Sequence, residues 1–499
     1  MVLQNRMLAL LGLLFLANVQ AKNHNVFWKS DENGVYVIDG VFNKATKALR
    51  NVVSTFKDTN WRFTIDETIG HKENQSLKMG FATKSSEIIQ NLSANKVLGK
   101  LVSEIYGLSK VALTETQGRM VERGDFNPVI SRCFQDSSQF LALLTLSKKW
   151  KKNDYGEITV YDKDGEVLRS IFPRFGRVIL IPCGIQFKIS PPCVNAEIRH
   201  YFLLSEFGEN LSKSMLESKD QILSDNSLTR FFANNYETDK FQYQDFAPEN
   251  YVTKKFYTKD GKKIFVYDDV FPAKAIDILH QFIVNIAEYY ESPVFEKDSA
   301  DNVKWIISLD DPHFEDGPIW NVSRKLLAHI AGKDFFPYDL ACNHVRRTDN
   351  TFSHKDNYED ADEYTVLIYL NKDWTENDYG ETTFLQDNEI VAALRPRYGR
   401  VVIFHGTIDH SAHPSSPEHQ GARYTFAIKT AATRKHALNR ILESEAGLSF
   451  SGAIGKLKSL ETKGTSAQKK FAKSAIDTLE NGRIPSSEFL VKLQKAIKL

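Results

Sequence analysis

Four side chains in the second half of the chain have the types and spacing of a metal-centred site. His354 and Asp356 stand two apart in "TFSHKDN" (351 to 357), so on an extended strand both point to one face. Alone the pair says little. With 13 histidines in 499 residues, about one His-x-Asp arises by chance at ordinary Asp usage. A later run, "DHSAHPSSPEHQGARYTFAIK" (409 to 429), offers two candidates for a third ligand, His410 and His413, and a cation, Arg423. Two imidazoles and one carboxylate on one face of a β core suit a borderline divalent ion and leave three adjacent coordination positions open. An arginine fork nearby suits a carboxylate through paired, charge-assisted hydrogen bonds.

The elements that must carry these residues occur twice. "LIYLNKDWTENDYGETTFLQDNEIVAALRPRYGRVVIF" (367 to 404) is echoed by "LLTLSKKWKKNDYGEITVYDKDGEVLRSIFPRFGRVILI" (143 to 181). Trp374 matches Trp150, Tyr379-Gly380-Glu381 matches Tyr155-Gly156-Glu157, and Arg397-Tyr398-Gly399-Arg400 matches Arg174-Phe175-Gly176-Arg177. The offset is 224 residues at Tyr379 and 223 at Arg397, one residue being lost at an intervening turn. Upstream, "VYVIDGVFNKA" (35 to 45) answers "IFVYDDVFPAK" (264 to 274). Such internal repetition predicts two tandem copies of one unit of roughly 200 residues, a typical domain length.

Each copy opens with a short strand and a helical stretch, "KATKALRNVVSTF" or "AKAIDILHQFIVNIAEYY", with apolar residues three and four apart. Runs such as "YTVLIYL", "ETTFL", "RVVIFHG" and "RYTFAIKT" are β-branched and aromatic between turn residues, so they read as strands. The fold class is therefore α+β. The copies span 24–205 and 264–433, with 206–263 a polar linker and 434–499 a helical C-terminal tail. In the tail a Thr465/Gln468 capping box precedes the stripe Ala472, Ala475, Ile476 and Leu479, and Asn481-Gly482 is a stop. That helix either packs on the body or docks a membrane or partner through its basic face.

The copies disagree where chemistry is expected. Ile130 and Arg132 fall opposite His354 and Asp356; aligning Pro191 with Pro414 puts Phe187 opposite His410, and Arg199 faces Arg423. The pairing with Phe187 favours His410 over its rival His413 as third ligand. Arg132 repels a divalent cation, so the first copy is expected to be metal-free.

The second copy resembles the Fe(II)/2-oxoglutarate-dependent dioxygenases of the prolyl/lysyl hydroxylase (PKHD) type over about 264 to 430, most strongly over 343 to 430. The motifs are His354/Asp356, Tyr369-Leu370-Asn371, Gly380-Glu381-Thr382-Thr383-Phe384, Pro396 with Gly399, His410 with Pro414, and Arg423. Arg423 lies thirteen residues after His410, farther than the family's spacing, whereas His413 precedes it by ten; the His-x-x-x-Pro register again favours His410. The resemblance implies two double-stranded β-helix (jelly-roll) domains with supporting helices. It also implies Fe(2+) held by His354, Asp356 and His410, 2-oxoglutarate clamped by Arg423, no catalytic side chain beyond the metal site, and L-ascorbate to restore oxidised iron. The expected reaction hydroxylates an unactivated C–H of a prolyl or lysyl residue with release of succinate and CO2. The alternative is a non-catalytic metal-binding or interaction protein built from two oxygenase-like domains; a cupin-like metal isomerase gives Arg423 no task.

The compartment is read from the start and from scattered signals. Arg6, the apolar run Met7 to Val19 and Val19-Gln20-Ala21 have the layout of a signal peptide over 1–21, the run being too short for a membrane span. Four Asn-x-Ser sequons, at Asn74, Asn91, Asn210 and Asn321, are glycosylation candidates in such a compartment. The expected location is the endoplasmic reticulum lumen or outside the cell, and the expected partner a protein or peptide substrate of that pathway. Net charge is +1 with 25% charged residues, so no basic field points to nucleic acid, and no later segment spans a membrane. Of the four cysteines, Cys183 and Cys193 are close enough to staple a hairpin or are two small buried residues. Oligomeric state is not legible.

Overall fold

β-Branched and aromatic runs pair here into antiparallel sheets. The computed structural model describes residues 25–43, 45–57, 61–63, 82–84, 89, 91–122, 130, 133, 138–148, 150–151, 154–193, 199–209, 227–235, 246–286, 289–291, 303–349, 351–357, 362–417, 419, 421–482 and 485–498. The expected signal peptide (1–21), Arg132, Asn74 and Asn210 lie outside these. The chain divides into two units, 1–222 and 223–499.

The first unit contains β1 (Asn25–Ser30), β2 (Val35–Asp39), α1 (Thr46–Lys57), β3 (Arg62–Phe63), β4 (Ala82–Lys84), α2 (Ser93–Tyr106), β5 (Val111–Val121), β6 (Phe140–Thr145), β7 (Ile158–Tyr161), β8 (Val167–Ile171), β9 (Val178–Pro182), β10 (Phe187–Ile189) and β11 (His200–Glu209). Within it the larger sheet runs β1-β2-β9-β6-β11-β5-β4-β3 and the smaller β10-β7-β8. Residues of both sheets, among them Val37, Leu143, Ile158, Ile179, Phe187 and Phe202, form one core cluster.

The second unit contains α3 (Leu228–Asn235), β12 (Val252–Tyr257), β13 (Lys263–Tyr267), α4 (Ala273–His280), β14 (Tyr289–Glu291), β15 (Trp305–Ser308), α5 (Pro318–Ala331), β16 (Phe336–Val345), β17 (Glu363–Tyr369), β18 (Thr382–Gln386), β19 (Glu389–Leu394), β20 (Val401–His405), β21 (Asp409–Ala412) and β22 (Arg423–Ala431). Four helices follow, α6 (Arg434–Ala446), α7 (Phe450–Lys463), α8 (Ser466–Glu480) and α9 (Ser487–Lys498). The larger sheet runs β14-β15-β16-β22-β17-β20-β13-β12 and the smaller β19-β18-β21. Leu367, Tyr369, Val402, Phe404 and Ala427 of the larger sheet meet Phe384, Ala392 and Leu394 of the smaller in one core. Two facing antiparallel sheets of this kind agree with a jelly roll.

The repeated motifs adopt repeated geometry. Arg400 donates from Nε and Nη2 to Asp268 at 2.8 and 3.0 Å, and Arg177 does the same to Asp39 at 2.8 Å each. Leu370 N–H donates to Tyr424 O as Leu146 N–H donates to Tyr201 O, and Gly406 N–H donates to Glu363 O as Cys183 N–H donates to Gln139 O. Gly380 and Gly156 have φ of +75° and +76°. A Cβ at either would also strike a tryptophan, Trp374 at 2.6 Å or Trp150 at 2.7 Å, so glycine is required on both counts.

Several expectations need correction. The supposed linker 206–263 is not structureless: β11 runs on to Glu209, and α3, β12 and the start of β13 follow. Of these, β12 is an edge strand whose lysines face solvent. The helical stretch after β13 is regular only to His280, and Gln281–Ile286 continues with π-helical geometry. Cys183 pairs with Cys133, 50 residues away, and not with Cys193; Cys193 and Cys342 are free thiols. Nearness in sequence misled here, because Cys183 follows β9 and Cys193 follows β10, which lie in different sheets, while the Ile130–Phe187 bridge brings the Cys133 segment close. In the tail the Thr465/Gln468 box caps α8, and Ala472, Ala475, Ile476 and Leu479 pack with Leu442, Leu457 and Leu493 of the other tail helices. Arg434 fastens the tail to the body through Glu315 at 2.6 and 2.7 Å.

Closing a 50-residue loop by a disulfide stabilises by about 4 kcal/mol in the chain-entropy model. Replacing Cys133 and Cys183 by serine should therefore lower the stability of the first unit by about 2–4 kcal/mol. Native-state hydrogen exchange should show faster exchange in β9 and β11 with β17 and β22 unchanged.

Candidate metal centre

The ligand set is assembled by an isolated antiparallel bridge. His354 N–H donates to His410 O and His410 N–H to His354 O, both at 2.9 Å. Residues exchanging both bonds project side chains to the same side, and here the imidazole centroids lie 4.3 Å apart. Asp356, two residues on, returns to that face. Its Oδ1 is 3.6 Å from His354 Nε2 and its Oδ2 3.8 Å from His410 Nε2. One ligand atom from each of the three lies within 4.8 Å of the others, an arrangement one ion can share.

Local hydrogen bonds orient the donors. His410 Nδ1 is 3.1 Å from Ile408 O and His354 Nδ1 3.4 Å from Phe352 O. An Nδ1–H donating to each carbonyl leaves the Nε2 lone pair for a metal. Burial and the neighbouring His354 push the His410 pKa down to about 4, so this imidazole is neutral at pH 7. Burial pushes the Asp356 carboxyl up, but the Lys429 ammonium, 3.5 Å away, and the two histidines outweigh it and hold it well below the usual carboxylate range. Thr365 Oγ1 donates to Asp356 Oδ2 at 2.6 Å. His410 and Asp356 are thus ready to ligate without losing a proton.

Arg423 shares the cleft, which is about 620 Å³ with its mouth included. Alternate residues of β22, Arg423, Thr425, Ala427 and Lys429, line it, as do Thr365, Leu367 and Phe404. Arg423 is 1% exposed. Its Nε donates to Gly380 O at 2.8 Å and its Nη2 to Thr382 Oγ1 at 2.7 Å, and the guanidinium lies over the Tyr369 ring. Nη1 has no hydrogen-bond partner among the described residues, nor has Thr425 Oγ1. Burial lowers the pKa of this guanidinium, yet an arginine stays charged. A buried cation with a free donor beside a bare hydroxyl is a carboxylate-sized vacancy in the hydrogen bonding.

His413, the rival ligand, lies outside. It is exposed, its Nε2 sits 3.1 Å from Thr383 Oγ1, and strand alternation from His410 turns it away from the cleft. Of the described sequons, Asn91 is exposed and Asn321 half-buried in the first turn of α5. Thr365, Thr425 and Lys429 went unread in the sequence, and Thr382 was read only as part of the Gly380-Glu381-Thr382-Thr383-Phe384 motif. Two-residue alternation from Arg423 along "RYTFAIK" was the signal for Thr425 and Lys429.

In the first unit the same bridge carries Ile130 and Phe187, with N–H to O distances of 2.7 and 2.9 Å, and both side chains join the core. The counterpart of Arg423 is His200 and not Arg199. Thr425 pairs with Tyr369 and Phe202 with Thr145, and each lies two residues after the position in question. Arg199 is instead half-exposed, 3.5 Å from the Glu122 carboxylate. The loss of one residue at the turn shifts the register, and the matching residue type at 199 disguised the shift.

Residues 340–428 match the family model of the 2OG-Fe(II) oxygenase superfamily. The matched stretch holds His354, Asp356, His410 and Arg423, so the second unit carries an oxygenase-superfamily domain. Among solved structures, a prolyl-4-hydroxylase of Pseudomonas putida is 15% identical, covering 40% of this chain and 99% of its own, with a TM-score of 0.28. A Trichoplax adhaerens prolyl hydroxylase in complex with a hypoxia inducible factor peptide fragment is 15% identical over 43% and 96%, with a TM-score of 0.29. HygX of Streptomyces hygroscopicus, with nickel and 2-oxoglutarate bound, is 14% identical over 36% and 84%, with a TM-score of 0.26. No curated protein matches the chain by sequence.

Two expectations follow. Alanine at His354, Asp356 or His410 should abolish stable Co(II) or Fe(II) binding in calorimetric titration, and His413→Ala should leave it intact. In the first unit, burial pushes the His200 pKa from 6.5 down to about 4. Its contribution to stability is complete above pH 6.5 and is lost as the pH falls towards 4, because the unfolded chain takes up the proton first. Over that window the loss should reach about 3 kcal/mol, and His200→Phe should flatten it in denaturant titrations at each pH.

Proposed function

We propose that the second unit is an Fe(II)- and 2-oxoglutarate-dependent dioxygenase that hydroxylates an unactivated C–H bond. The favoured substrate is a prolyl or lysyl side chain of a protein or peptide in the secretory pathway. One observation carries this reading: buried Arg423, whose Nη1 has no hydrogen-bond partner among the described residues, lines the same cleft as His354, Asp356 and His410. A ligand with a carboxylate at one end and a metal-chelating 2-oxo acid at the other satisfies both halves. When bound, the metal and cosubstrate would supply hydroxylation by O2, one oxygen atom going to the C–H bond and the other to the succinate formed, with CO2, by oxidative decarboxylation of 2-oxoglutarate.

The chain's residues divide the remaining work. His354 and His410 present Nε2, and Asp356 presents one oxygen while Thr365 donates to its Oδ2. Arg423 receives the far carboxylate, with Thr425 as a second donor and Tyr369 supporting the guanidinium from below. Leu367, Phe404 and Ala427 also line the cleft, and such apolar lining would strengthen the pairing of Arg423 with a bound carboxylate. L-ascorbate belongs to the reading as the reductant for iron oxidised in uncoupled turnovers. The Cys133–Cys183 disulfide supports an oxidising compartment. The first unit is read as a second copy of the fold that lacks the ligands and serves structure or substrate capture.

The test is the full chain with Fe(II), 2-oxoglutarate and ascorbate against a peptide library. A peptide gaining about 16 Da, one oxygen atom, with matching succinate release is the expected result. Arg423→Ala should weaken 2-oxoglutarate binding by about 2–5 kcal/mol while metal binding stays, and Arg423→Lys should be milder. Metal binding with no succinate from any peptide would instead favour a non-catalytic interaction protein.

A further inference from the structure

The segment bearing the ligands is fastened at its end from outside the oxygenase strands. Asn357, next to Asp356, is 1% exposed, and its N–H donates to Gly406 O at 3.0 Å. Its Oδ1 accepts from Arg440 Nη2 at 2.6 Å. Arg440 belongs to α6 of the C-terminal tail. The same guanidinium donates from Nε to Glu363 Oε1 at 3.0 Å and from Nη2 to Oε2 at 3.3 Å. Glu363 opens β17, which carries Thr365; it is 1% exposed, and Tyr338 OH and His436 Nε2 also reach it, each at 2.8 Å. One arginine therefore ties the Asp356 segment to the strand whose threonine holds the Asp356 carboxylate.

The first unit closes the same seam by another means. Cys183 stands where Gly406 stands, since the N–H of each donates to the first residue of the neighbouring strand register, Gln139 or Glu363, at 2.9 Å. Cys133 stands where Asn357 stands, three residues beyond the bridge residue Ile130 as Asn357 is three beyond His354. A disulfide joins them with Cα atoms 5.3 Å apart. In the second unit a Cβ at Gly406 would lie 3.4 Å from Asn357 Cβ, close to the Cβ spacing of about 3.5–4.5 Å that a disulfide requires.

We infer that Arg440 is a positioning residue for the metal centre, through which the C-terminal helical tail pins Asn357, and with it Asp356, against β17. The inference rests on the metal reading of His354, Asp356 and His410. Removing a group that orients a ligand typically costs 10–100-fold in metal affinity.

Co(II) alone, titrated into the full chain and followed by calorimetry and by its visible absorption, tests this without turnover. Arg440→Gln should weaken Co(II) binding about 10–100-fold and alter the absorption of whatever complex remains. Arg440→Lys keeps a charge for Glu363 but has no fork to reach Asn357 as well, so it should fall between; it carries the comparison if Arg440→Gln does not fold. Adding Asn357→Cys and Gly406→Cys to Arg440→Gln, with the new disulfide verified by mass, should return affinity to within about threefold of the wild type, since it replaces the same tie covalently. Wild-type affinity in Arg440→Gln overturns the inference, and so does a loss that the disulfide leaves unrepaired, because that is a general loss of structure. A wild-type chain that binds no Co(II) overturns the metal reading itself, and this inference with it.

Discussion

Two backbone hydrogen bonds between His354 and His410, each 2.9 Å long, are the contact on which the candidate site depends. They bring together imidazoles from distant parts of the chain and fix which side both rings project from. Asp356 follows by alternation, and Arg423 and Lys429 come from β22 of the larger sheet by the same two-residue rule. The bridge is indifferent to its side chains. In the first unit it carries Ile130 and Phe187, each 6% exposed or less, whose burial stabilises by roughly 1.5–3 kcal/mol apiece. One backbone device thus makes either a core or a ligand pair, and residue identity decides which.

Polar residues at that bridge raise an electrostatic problem that the second unit solves unevenly. Asp356 is charged and nearly buried, and Lys429, Thr365 and the two imidazoles surround it. Its charge is compensated before any metal arrives. Arg423 is just as buried, and among the described residues it donates to a carbonyl and a hydroxyl and lies over the Tyr369 ring, with Glu381 adding a nearby negative charge. Desolvating a cation without a directly paired anion is costly, and the unpaired Nη1 shows that the surrounding protein does not finish the task. The imbalance lies in the same cleft as His354, Asp356 and His410.

The sequence reading reached the strands and the ligand trio because both obey period-two patterning, which the chain repeats almost without gaps. It failed at non-local contacts that neither the repeat nor the period-two patterning marks. Arg199 was matched to Arg423 by residue type, although the one-residue loss makes His200 the counterpart, and only strand register exposes that. Cys183 was weighed against its near neighbour Cys193, when pairing across strands brings Cys133 to it. Lys429 went unread because nothing in "AIKT" says that the carboxylate of Asp356 lies 3.5 Å away. Arg440 was harder still: it lies in a tail whose amphipathic pattern shows a helix but not what its charged face meets.

The two units also differ in what their stability depends on. In the first, the seam beside the bridge is covalent and the pocket position is filled by apolar side chains, so folding there needs no ligand. In the second, hydrogen bonds and ion pairs hold the equivalent seam, and three ligand atoms converge on one point. Anything that binds this folded arrangement and not the unfolded chain adds RT ln(1 + [L]/Kd) to its stability, about 2.7 kcal/mol at one hundred times Kd. A metal ion bound there is therefore part of the second unit's folding free energy as well as of its chemistry. Arg440 and Glu363 bear on both, because they hold Asp356 in place before the ion arrives and so reduce the ordering that binding must accomplish.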